Sequence, residues 1–193
     1  MGLADDAVVA AAIAERRKVL TDWSITEEDL ASLAASSFVR VLTPGSDAGE
    51  PLHVLSALER RSGRWDTDLQ GARTALSAAI SLVLRLTGRE GDPAKSREHA
   101  FLSVLAENRL RTGRAAPLDE LLPEILEPPL AEVGALPVEA FVSAKQRSEL
   151  AADLNTLIAS PTLATWRAGQ DLDVARWMQP IDGRTPATIV SVA

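Results

Sequence analysis

Apolar residues recur every three or four positions over most of this chain, and they gather into strand-like runs at only two places. The first is Phe38–Thr43, which leads straight into Pro44-Gly45. Phe38, Val39, Val41 and Leu42 are apolar on both alternating faces, so the run predicts a strand buried on both sides, as inside an α/β sheet. Pro44 cannot extend a ladder and Gly45 accepts positive φ, so the chain turns there. The second run is Ala187–Ala193, with Ile189, Val190 and Val192 as its apolar residues. We expect the two runs to be parallel neighbours in one small sheet. A parallel pair needs a crossover, here long and helical. Pro51–Ser56 forms a further extended or turn-like segment. The final strand has nothing in the sequence to cover it, which predicts a continuing polypeptide or a covering partner.

Between the two runs the spacing is helical. Leu69, Ala72, Leu76, Ile80 and Val83 predict a helix over residues 66–87, stopped by Gly88. Asp92-Pro93 supplies an N-cap and first position for a helix ending at Gly113, whose wide apolar arc suits a central element. Pro123 should kink or split the helical pieces between Pro117 and Pro129. Leu150, Ala151, Leu154, Leu157 and Ile158 form one stripe over residues 144–159, with Lys145 and Glu149 as an i,i+4 pair. A shorter helical turn spans 172–178, with Trp177 inward. Before the first strand, Asp5–Leu20 predicts a helix with Arg16, Arg17 and Lys18 in its last turns. Ser24 and Glu27 have capping-box spacing ahead of a second helix over 25–35. The order is thus N-terminal helices (1–36), strand and turn (37–56), a helical insertion (57–180) and a C-terminal strand (181–193). The fold class is mainly α, a helical domain with a minimal parallel two-strand β element.

Composition sharpens this picture. The 193 residues suit one domain with a core of its own. Alanine is plentiful and aromatics are few, so the four Trp should carry much of the bulky core. With no cysteine, disulfides, thiolate metal sites and a Cys nucleophile are excluded. The net charge of −7 disfavours direct nucleic-acid binding. No apolar run reaches the roughly 20 residues of a membrane span. Asp5 and Asp6 stand where a secretory signal carries cations, which predicts a cytoplasmic chain.

The candidate chemistry is sparse. Arg16, Arg17 and Lys18 are ordinary complements to a helix C-terminus, with a phosphate site as the alternative. His53 and His99 lack the spacing of a two-His metal site. Arg97, Glu98 and His99 could form an acid/base or interface device at a helix start; the ordinary reading is a solvated, hydrogen-bonded helix terminus. Asp119-Glu120 is most simply helix N-terminal acid, and Asp171 and Asp173 are most simply N-caps. There is no GxSxG elbow, and no GxxxxGK[ST] loop, because no Gly precedes a Lys.

Four stretches in order, FVRVLTPGSDAGEPLHVLS, DPAKSREHAFLSVLAEN, EPPLAEVGALPVEAFVSAKQRSELAADLNTLIASPTLATW and RTPATIVSVA, resemble the middle of the motor domain of HerA-type ATP-binding proteins, in the HerA/FtsK superfamily of P-loop ATPases. The resemblance runs from about Arg17 onward. Its most specific parts are Thr43–Gly49, Lys95–His99 and Leu154–Pro161. It implies a fragment of a RecA-like α/β sheet: two bordering strands and the helical insertion between them. The phosphate loop would lie upstream and the Mg²⁺-carboxylate strand downstream, so no nucleotide-binding, catalytic or metal residue is carried over to this chain. ATP and Mg²⁺ belong to the parent family.

The expected role is therefore a structural or partner-docking segment of a DNA translocase. Its partners would be the rest of the motor domain or subunits of a homo-oligomer, with a nuclease as a further protein partner and no membrane contact. Thr43, Pro44, Gly45, Ser46, Arg97, Glu98 and His99 are the candidate interface residues. The alternative is a stand-alone helical interaction or scaffold domain without ATPase activity.

Overall fold

The computed structural model describes residues 6–191; of the sequence expectations above, Asp5 at the first helix and Val192 and Ala193 in the final strand lie outside them. The elements run α1 (Asp6–Asp22), α2 (Glu27–Ser36), β1 (Ser37–Thr43), β2 (Glu50–His53), α3 (Ser56–Glu59), α4 (Arg64–Thr67), α5 (Leu69–Leu86), α6 (Arg97–Arg111), α7 (Leu118–Leu126), β3 (Glu132–Val133), β4 (Leu136–Pro137), α8 (Val138–Phe141), α9 (Ala144–Ile158), α10 (Pro161–Trp166), β5 (Gln170–Asp171), α11 (Val174–Trp177) and β6 (Thr185–Val190). The fold is mainly α with a small parallel sheet of order β5-β2-β1-β6; β3 and β4 form a separate antiparallel hairpin.

The two runs singled out in the sequence are parallel neighbours. Arg40 Nε donates to Thr188 Oγ1 at 3.3 Å, and the Ser191 amide donates to the Leu42 carbonyl at 2.9 Å, so the register advances the same way along both strands. β2 joins the far side of β1, pairing Leu42 with Glu50 and Thr43 with Pro51. A parallel return after so few residues works because only the end of β1 is paired, so the chain backs up about two residues rather than a whole strand. Thr43 pins this loop: its hydroxyl donates to the Ser46 carbonyl at 2.9 Å and accepts from the Gly49 amide at 3.1 Å. Gly45 takes φ +72° at the turn.

β1 departs from expectation in its burial. Phe38, Arg40 and Leu42 lie on a covered face, while Val39 (60% exposed) and Val41 lie on an open one. Pro186 and Thr188 share the covered side of β6, and Ala187 and Ile189 (51%) the open side. The strand is therefore half-buried rather than buried on both faces.

The chain divides into two compact units. One comprises Met1–Arg40 with Val174–Ile189. Within it Arg40 lies over the Trp177 ring at 5.7 Å and Arg184 over the Phe38 ring at 5.2 Å, cation–π contacts that tie α11 and β6 to the start of β1. α1 continues to Asp22, so Arg16–Lys18 fall short of its last turn and do not cap its C-terminus. The capping box uses Thr26 and Asp29, not Ser24 and Glu27, because Ser24 sits at φ +57° in the turn and cannot take the extended N-cap conformation.

The other unit, Val41–Asp173 with Val190–Ala193, holds the main core. Leu76, Ile80 and Leu84 of α5 pack with Phe101 and Leu105 of α6, while Leu121 and Ile125 of α7 meet Leu150 and Leu154 of α9. α6 is central as its wide apolar arc implied, but it begins at Arg97, capped by Ser96, whose Oγ accepts from the His99 amide at 3.1 Å. Asp92 instead opens a turn, accepting from the Ala94 amide at 2.9 Å. Pro123 lies inside α7 without splitting it; in a helix this short the lost bond falls near the exposed first turn. Of the four Trp, Trp65 and Trp177 are buried, Trp166 is half-buried and Trp23 is 77% exposed, so aliphatic residues and Phe101 carry the core.

Candidate functional site

A buried polar cluster lies where β2 ends. His53 is its last residue, and β5 continues the sheet beside it with His53 opposite Asp171. One turn later α3 ends in Glu59, which is buried with a side chain 3% exposed. Arg167, just past α10, places Nε 2.7 Å from Glu59 Oε2 and Nη2 3.2 Å from Asp119 Oδ1 at the start of α7. The Leu118 amide donates to Glu59 Oε1 at 3.3 Å, and His53 Nε2 lies 3.2 Å from Glu59 Oε2. Strand end, two short helices and a helix N-terminus thus converge on one carboxylate.

Burial pushes the Glu59 carboxyl up. The hydrogen bonds from His53 and Arg167, the Arg167 charge and the Leu118 amide together outweigh it, and Glu59 sits below the usual carboxylate range. Burial also pulls the Arg167 guanidinium down, but Glu59 and Asp119 raise it more, so the cation is held. An ionised carboxylate only accepts, so His53 donates through Nε2 and its ring is fixed. His53 Nδ1 is left buried without a hydrogen-bond partner among the described residues. Arg60 stands next to Glu59, with Nη1 2.7 Å from Asp171 Oδ1 and 3.0 Å from the Gly169 carbonyl. His53, Glu59, Arg60, Pro117, Ala164 and Arg167 line one open cleft of about 420 Å³. The cleft sets two hydrogen-bonded arginines beside a buried acid–imidazole pair. Among the described residues no group of three or more His, Cys, Asp or Glu could hold a metal ion.

The residues proposed from sequence fall in two other settings. Thr43, Pro44, Gly45 and Ser46 build the pinned loop between β1 and β2, half-buried or buried. Arg97, Glu98 and His99 form the first turn of α6. Arg97 is exposed, and Glu98 pairs with Arg89, which also holds Asp153 of α9 at 2.6 Å. His99 is hydrogen-bonded as expected, but buried rather than solvated: Nε2 meets the Ser77 carbonyl at 3.0 Å and Nδ1 the Ser103 hydroxyl at 3.4 Å. This histidine fastens α6 to α5. His53 was visible in the sequence as an isolated histidine. Glu59, Arg60 and Arg167 were missed, because Arg167 and Glu59 are 108 positions apart and no local spacing joins them.

Among the described residues, no helix is long and apolar enough to cross a membrane. Comparison with known proteins finds no matching family model, no matching curated protein and no matching solved structure.

Proposed function

We propose that this chain is the helical insertion, with its two bordering strands, of a HerA-like DNA-translocating P-loop ATPase of the cytoplasm. It is a non-catalytic segment that shapes a subunit or docks a partner protein, while ATP, Mg²⁺ and DNA are handled elsewhere in the parent. The observation that carries this reading is the open face of the β1–β6 pair. Parallel sheets occur almost only with both faces covered. Here Val39, Val41 and Ile189 stand uncovered on a parallel pair whose strands are joined by the whole helical body. Such strands fit the interior of a larger sheet.

A second reading is a stand-alone interaction domain. It is favoured by the N-terminal helices, where no residue of α2 is buried and Trp23 and Leu33 are exposed. The test is to read the flanking open reading frame, then measure ATP binding calorimetrically on this chain and ATP hydrolysis on the complete product. A motor segment gives no tight binding by the chain and hydrolysis by the complete product. Stop codons on both sides select the stand-alone reading, and tight ATP binding by this chain overturns both.

A further inference from the structure

The cleft at the end of β2 has a donor–acceptor balance that selects its ligand. Its one deep carboxylate is spent: Glu59 Oε1 takes the Leu118 amide, and Oε2 takes Arg167 Nε and His53 Nε2. The donors are not. Arg60 engages only Nη1, and Arg167 only Nε and Nη2, in hydrogen bonds among the described residues. Arg60 Nε–H and Nη2–H and Arg167 Nη1–H therefore remain to a ligand in the cleft they line. Pro117 and Ala164 supply apolar wall. Beneath them His53 is 3% exposed, with Nδ1 unpartnered.

We propose that this cleft binds an oxyanion, a phosphate or carboxylate group, between the guanidiniums of Arg60 and Arg167. Three observations converge on it. The cleft lies beyond the C-terminal end of β2, where ligands of parallel α/β sheets bind. Its unspent groups are charged donors, and Arg forks match planar or tetrahedral oxyanions. The arginines' partners on the open side, Asp171 (44% exposed) and Asp119 (59%), form half-exposed pairs of the kind that exchange readily for a better-placed anion.

The test titrates the intact chain with inorganic phosphate and, separately, malonate, against chloride at matched ionic strength. The His53 ring and the Arg60 and Arg167 Nε–H resonances are followed by NMR. A saturable shift of all three with phosphate or with malonate is expected, the better probe naming the oxyanion class. Arg60→Gln keeps the fold, since Arg60 is half-exposed, and weakens binding by about tenfold or more. Arg167→Lys keeps the charge but loses the fork and weakens it as well. Shifts that stay linear with both probes, or an unchanged dissociation constant in Arg60→Gln, overturn the proposal. The outcome is independent of the ATPase reading, which concerns the sheet face.

Discussion

His53 Nε2 stands 3.2 Å from Glu59 Oε2, and both side chains are shut away from water. The pair survives burial because Arg167 closes on the same oxygen and supplies the compensating charge. Removing Glu59 leaves the buried His53 imidazole without its acceptor and the Arg167 guanidinium with Asp119 alone. Breaking a buried ion pair from one side costs about 3–5 kcal/mol. Glu59→Ala should lose stability of that order in urea unfolding. Glu59→Gln, which keeps a carbonyl acceptor but no charge, should lose less. Equal stability of Glu59→Ala and the parent chain would mean that the cluster is not held as described.

The same carboxylate sets a pH dependence. Its folded-state pKa lies below its ordinary value of 4.5, so the unfolded chain binds the proton more tightly. The stabilisation is present above pH 4.5 and fades as pH falls through the lower folded value. Denaturation midpoints should therefore hold from neutrality to about pH 5 and then decline. Glu59→Gln should flatten the acid limb, because it removes a group that must be protonated. An acid limb of unchanged slope would assign the loss to exposed carboxylates such as Asp66 and Glu139, whose pKa values are also lowered.

β1 and β6 were legible because each gathers its β-branched residues into one short run, and Pro44-Gly45 marks where β1 stops. β2 and β5 were not. They are four and two residues long, and Glu50, His53, Gln170 and Asp171 carry no alternating apolar signal. α5, α6 and α9 were legible through their stripes, while the start of α6 was misplaced because Asp92-Pro93 resembles a cap and Ser96 is an equally good one. The direction of β1 and β6 emerged from the pattern, but their half-burial did not, since an apolar residue looks the same whether or not anything covers it. The polar cluster assembles from residues far apart, a relation that topology alone creates.

Two glycines should be intolerant of a side chain for separate reasons. At Gly45 a Cβ would overlap the Trp166 indole, and at Gly169 it would overlap the Pro51 carbonyl beside the β2–β5 pair. Both also have positive φ, which costs an L-residue about 1–2 kcal/mol. Gly113, at φ +87° with open space around it, pays the backbone term alone. Thermal midpoints should fall least for Gly113→Ala and most for Gly169→Ala, where backbone must move. Gly45→Ala should shift tryptophan fluorescence as Trp166 is displaced. Equal midpoints for all three variants would show that the two close approaches relax without cost.

Ser96 identifies the true start of α6. Its hydroxyl satisfies the His99 amide in a buried position, so Ser96→Ala should cost about 1 kcal/mol, the usual loss for an N-cap. Hydrogen exchange at His99 should accelerate with it. Unchanged protection of that amide would move the cap elsewhere.

The open face of the β1–β6 pair makes a prediction that separates the isolated chain from any parent. Val39 and Ile189 are already more than half exposed, so replacing both by Lys, whose stem can cover the same surface, removes little buried apolar area. Surface substitutions of this kind usually stay within about 0.5 kcal/mol of neutral. Charges on an exposed apolar strand also discourage edge and face association, so the variant should aggregate less at high concentration in sedimentation velocity. Where another layer of a complete motor covers this face, the same two lysines would be buried without partners, and an unpaired buried charge is strongly destabilising. The double variant should thus be benign in this chain and abolish folding or ATP hydrolysis in a complete motor. If it is harmless in both, the face is not covered in the parent.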